Sequence, residues 1–114
     1  MKLEVGQFVR TKDGYISQYK YYDTTNAYME KLLCIPLSNG TFANIEDIVK
    51  ASYNIIDILE VGDYVNGKKI YSLGLTIGIL NTINFEDGTF TIAEDIKLVI
   101  THEQMEQIAY KLDH

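Results

Sequence analysis

The sequence is poor in cysteine, histidine, basic charge and long apolar runs, and each shortage removes a class of function. Its single cysteine, Cys34, has no partner within the chain, so no intramolecular disulfide forms and a reducing cytoplasm is expected to suit it. The two histidines, His102 and His114, stand near the C-terminal end with no cysteine beside them, and no zinc-ligand spacing is present. Lysine and arginine number 10 against 16 aspartates and glutamates, a formal charge of −6 whose field repels phosphate backbones and anionic membranes. Direct nucleic-acid binding is therefore disfavoured. No apolar run approaches the ~20 residues that a bilayer-spanning helix needs. Glu4 and Gly6 arrive before any apolar stretch develops, so no signal peptide is expected. Neither G-x-x-x-x-G-K-[ST] nor G-x-G-x-x-G occurs, and the stretch from Leu73 to Gly78 reads as a flexible β segment rather than a phosphate cradle.

What is present is an ordinary globular balance, 46% apolar and 23% charged, in 114 residues. Two separate halves of that length would each bury only ~60% of their unfolded surface, so a shared or continuous core is expected.

The sequence repeats itself. Leu3 to Val9 matches Leu59 to Val65 with five of seven residues identical, and Asn39 to Ile48 matches Asp87 to Ile96 with six of ten. The offsets, 56 and 48, leave eight extra residues in the first copy, which the Tyr-rich stretch Tyr19 to Asn26 supplies as an inserted loop. The expected organisation is residues 1–56 as a first β-barrel repeat carrying that loop, and residues 57–114 as a second repeat ending in a short helix.

Within each copy, short β-branched or alternating runs are separated by turn residues. Lys12-Asp13-Gly14 and Asn66-Gly67 suit the positive φ of tight turns. Asn39-Gly40 and Asp87-Gly88 are hairpin signals, flanked by Leu33 to Leu37 with Thr41 to Ala43, and by Ile79 to Phe85 with Thr89 to Ile92. Thr101-His102-Glu103-Gln104 has the form of a capping box opening a helix from Gln104 to Ala109. Asn54 to Leu59 fits a helical turn or a strand equally. The fold expected is mainly β: two tandem copies of a small SH3-like barrel motif with short helical turns. One larger sandwich or a swapped arrangement gives the same pattern.

Catalytic patterns are not found. Cys34 among Leu32, Leu33, Ile35 and Leu37 reads as a buried, inert thiol. His102 reads as a first-turn helix residue. The adjacent carboxylates Glu46-Asp47, Glu86-Asp87 and Glu94-Asp95 read as solvated turns, since neighbours in a turn do not aim at one reacting centre. No enzyme, cofactor or metal is expected. The concentration of Tyr15, Tyr19, Tyr21, Tyr22 and Tyr28 suits partner binding, because tyrosine offers large contact area at low entropic cost; the competing use is packing of the barrel wall. Glu46, Asp47, Glu94 and Asp95 form a candidate acidic surface that would imitate phosphate, or simply keep the protein soluble.

Val5 to Gly14, Ile45 to Lys50, Ile55 to Gly67 and Glu94 to Gln104 together resemble small uncharacterised proteins of phages and prophages of low-GC Gram-positive bacteria, most distinctively in the block Asp57 to Gly67. The resemblance implies a mobile-element setting and an intracellular role, and supplies no catalytic residue. The function expected is a non-catalytic binding protein in the host cytoplasm, with a host protein such as a defence nuclease or CRISPR effector as partner. Sequestration of a nucleotide signal and a role in phage assembly are the alternatives, and an exposed strand edge would allow a homodimer.

Overall fold

The computed structural model describes residues 2–22, 25–76 and 80–108. It divides into two compact units, Met1–Ile58 and Leu59–His114. Strands predominate, and among the described residues the sheets do not close into a barrel.

In unit 1, β1 (Phe8–Thr11) pairs antiparallel with β2 (Ile16–Gln18) on one side and β5 (Ile48–Ser52) on the other. A separate hairpin joins β3 (Cys34–Pro36) to β4 (Phe42–Asn44), and a bridge between Tyr19 and Leu37 links the end of β2 to the end of β3. Between them lies α1 (Thr25–Lys31), where a loop was expected. Buried Asn26 fixes its start by accepting from the Tyr22 amide and donating to the Lys20 carbonyl, and Leu33 closes its end at φ 61°. Short polar stretches carry little periodicity, so this helix depends on that anchor and not on an amphipathic pattern. Val9, Tyr19, Ile35, Leu37, Ala43 and Ile48 form the core, each Val, Leu or Ile side chain stabilising by about 1.5–3 kcal/mol.

In unit 2, β6 (Tyr64–Val65), β7 (Lys68–Thr76), β8 (Leu80–Phe85), β9 (Phe90–Thr91) and β10 (Val99–Ile100) form one sheet in the order β10-β6-β7-β8-β9. α2 (His102–Ile108) follows, capped as the sequence predicts: the Gln104 amide donates to Thr101 Oγ1 and the Thr101 amide to Gln104 Oε1. Leu59, Val65, Ile70, Ile83 and Phe85 are buried. The open reading at Asn54 to Leu59 resolves as a 3-10 turn over Ile55–Ile58. Ile77, Gly78 and the end of the expected helix at Ala109 lie outside the described residues, as does His114.

The repeated blocks share the bonds of their glycine loops and hairpin corners. Gly6 and Gly62 both sit at positive φ, 97° and 98°, which favours glycine. The Gly6 amide donates to the Tyr19 carbonyl and the Gly62 amide to Ile70; Tyr19 and Ile70 return bonds to Gln7 and Asp63. At the hairpins, Asn39 Oδ1 accepts from the Thr41 amide and hydroxyl, and Asp87 Oδ1 accepts from the same groups of Thr89.

These pairs relocate the extra residues of the first copy. The offset is 56 at Gly6/Gly62, 51 at Tyr19/Ile70 and 48 at Leu37/Phe85, so five residues enter the β1–β2 turn and three enter the stretch after Tyr19. Placing all of them between Tyr19 and Asn26 is corrected accordingly.

Candidate functional site

The longer β1–β2 turn of unit 1 projects over the β3–β4 hairpin, and a groove of about 330 Å³ runs between them, lined by Asp13, Tyr15, Leu37, Thr41, Phe42 and Asp47 among others. A second concavity continues it past Leu37, Thr41 and Phe42 to Tyr22 and Pro36. Three aromatic rings therefore edge one surface, Tyr15 at 54%, Phe42 at 53% and Tyr22 at 42% exposure. The turn is anchored from beneath, because the Lys12 amide donates to the Asp47 carbonyl and the Lys12 ammonium lies 3.0 Å from the Asp47 carboxylate. That bond to Asp47 raises the pKa of Lys12 above its ordinary value.

Lys68 occupies the corresponding place in unit 2. By the Tyr19/Ile70 equivalence it stands where unit 1 has Ser17, and its ammonium lies 3.0 Å from Thr89 Oγ1, 3.2 Å from Asp87 and 5.7 Å from the centre of the Phe85 ring. The Thr89 bonds, then Lys68, lower the Asp87 carboxyl to about 2. The turn there is only Asn66-Gly67, at φ 52° and 83°, and it carries no counterpart of Asp13 or Tyr15.

The tyrosines predicted to bind a partner separate into two sets. Tyr15, Tyr21, Tyr22 and Tyr28 are exposed, Tyr28 on α1, whereas Tyr19 is 1% exposed in the core and is not a surface residue. Its hydroxyl donates to Glu30, and burial first, with Glu30 second, raises its pKa. Alternation explains the correction: Tyr19 succeeds β2 on the inward side, at the position that isoleucine fills in unit 2. Cys34 is half-buried, its thiol facing Asn44, instead of fully buried, because Leu32 and Leu33 form the exposed turn after α1. Glu46-Asp47 and Glu94-Asp95 each lie on a 3-10 turn of their own unit, Ile45–Asp47 and Ala93–Asp95. Only Asp47 of the four borders the groove.

Sequence reasoning missed Phe42 and Asp13, although the Gly-Thr-Phe repeat and the Lys-Asp-Gly turn marked both segments. It also missed a cluster in unit 2, where Glu60, His102 and Glu103 each place a donor atom within 4.8 Å of the others. Among the described residues no helix is long and apolar enough to cross a membrane. No protein family, curated protein or solved structure matches the chain.

Proposed function

We propose that the chain is a non-catalytic protein-binding module whose groove in unit 1 receives a basic segment of a partner protein. The observation that carries this reading is the convergence of exposed Tyr15 and Phe42 with Asp13 and Asp47 in one groove, with exposed Tyr22 on the concavity that adjoins it. Exposed rings gather at binding hot spots and attract Arg or Lys over their faces, and the carboxylates and the net charge of −6 add electrostatic steering. The same acidity weighs against an anionic nucleotide as occupant.

The two units are read as copies of one small motif of SH3-like character, an interpretation supported by the shared bonds around Gly6 and Gly62. The resemblance to phage and prophage proteins favours a host protein as the target, and a defence nuclease such as a CRISPR effector, whose nucleic-acid channel is basic, fits the chemistry of the groove.

The test is affinity capture from host cells with three baits. Wild type and Phe90→Ser retain the same stoichiometric partner, while the double substitution Tyr15→Ser with Phe42→Ser loses it. A partner that survives the double substitution, or that Phe90→Ser alone abolishes, contradicts the proposal.

A further inference from the structure

The loop around each repeated glycine is latched by its glutamate. In unit 1 the Tyr53 hydroxyl donates to Glu4 Oε2 at 2.7 Å, and a Cβ on Gly6 would lie 3.5 Å from the Tyr53 ring. In unit 2 the matching glutamate, Glu60, lies 2.8 Å from His102 Nε2, and a Cβ on Gly62 would lie 3.8 Å from His102 Cβ. Tyr53 and His102 therefore play the same part toward their glycine loops, one residue out of strand register, since the pairs Phe8↔Ser52 and Tyr64↔Ile100 align Tyr53 with Thr101. Unit 2 differs by an imidazole for the phenol and by a second carboxylate, Glu103 Oε1, 3.4 Å from the same Nε2.

These groups are held in place from below. Asp63, fully buried, accepts from the Glu60 amide at 2.8 Å with one oxygen and from the His102 amide at 2.9 Å with the other, so a single carboxylate ties together the backbones that carry two of the three donors. Unit 1 has the neutral Gln7 there, bonded to the Glu4 amide. Two carboxylates thus approach one imidazole in unit 2, above a third that holds the backbone, where unit 1 has one carboxylate and a phenol. Lys69 and Glu106 flank His102 in a shallow recess of about 290 Å³, which leaves the imidazole side accessible.

We propose that Glu60, His102 and Glu103 bind a divalent transition-metal ion of the Zn²⁺ type through Nε2 and one oxygen of each glutamate. One nitrogen and two oxygens suit such an ion, and bond lengths of about 2.0–2.2 Å place tetrahedral donors about 3.4 Å apart. The observed separations from Nε2, 2.8 and 3.4 Å, need only small side-chain rotations to match. The ion takes the lone pair of Nε2, so any excess ring proton leaves to solvent and the neutral imidazole carries its single proton on Nδ1. Water completes the coordination on the open side.

The experiment titrates the purified full chain with ZnCl₂ by calorimetry and with CoCl₂ by visible absorption. Wild type binds one equivalent of each ion, melts at a higher temperature when loaded, and gives the visible bands of a nitrogen- and oxygen-ligated Co²⁺. His102→Tyr, which installs the residue of unit 1, folds and melts cooperatively but loses the binding. Glu103→Gln keeps the fold and weakens binding by about tenfold or more. Absence of saturable binding to wild type, or affinity unchanged in His102→Tyr, overturns the proposal; the latter result assigns the ion to other groups such as His114 or Cys34.

Discussion

Unit 1 and unit 2 build the same loop, the same hairpin corner and the same 3-10 turn, yet they present different chemistry at matching places. Around the hairpin corner, unit 1 has Asn39, Ser17 and a long turn carrying Asp13 and Tyr15, and a groove stays open. Unit 2 has Asp87, Lys68 and a two-residue turn, and an ion pair lies across the same place. Around the glycine loop the contrast reverses: unit 1 has a single Glu4–Tyr53 bond, whereas unit 2 gathers three carboxylates about His102. Backbone bonding has been kept in both units while side chains were exchanged, which separates what folds the motif from what it offers to a ligand.

Substitutions at matched positions test that separation. The largest effect is expected in the cores: Ile70→Ala costs about 2–5 kcal/mol by loss of buried aliphatic volume, whereas Tyr19→Phe, at the matching position, costs about 1 kcal/mol through the hydroxyl's bonds to Glu30 and Asn26. Denaturant melts of the two variants measure it. Next come the loop supports. Asp63→Ala leaves two backbone amides without their acceptor and costs about 3 kcal/mol, while Gln7→Ala, on the exposed counterpart, costs below about 1 kcal/mol.

Gly6→Ala and Gly62→Ala should each cost about 1–2 kcal/mol, because both force an L-residue to positive φ and neither meets a hard steric contact. Unequal losses there would show that the loops are not the same device. The smallest effect is Asp87→Asn, which copies Asn39. The folded carboxyl titrates at about 2 against an ordinary 3.8, so its contribution is present above the ordinary value and is lost as pH falls through the folded one. The small drop in melting temperature on Asp87→Asn should therefore be seen at neutral pH and vanish near pH 2.

Much of the backbone was legible because its signals are local. Asn66-Gly67, Asn39-Gly40 and Asp87-Gly88 turn where those dipeptides demand, and Thr101 with Gln104 caps its helix as the spacing requires. α1 was not legible, since a buried asparagine that ties its first turn to the preceding segment and a leucine at positive φ leave no periodic trace. The sites were hidden for a different reason. Tyr15 and Phe42 line one groove from 27 positions apart in sequence, and Glu60 meets His102 across 42, so their proximity depends on pairing between strands. Tyr19 was misplaced because composition counts tyrosines without saying which way a strand turns them.

The most direct measurement is amide chemical-shift mapping of the full chain against a short Arg- and Lys-rich peptide at low and moderate salt. Saturable shifts at Asp13, Tyr15, Thr41 and Phe42, weakened by salt and missing from Thr89 and Phe90, are the predicted result. No saturable shift, or equal shifts at the matching residues of unit 2, would contradict the account.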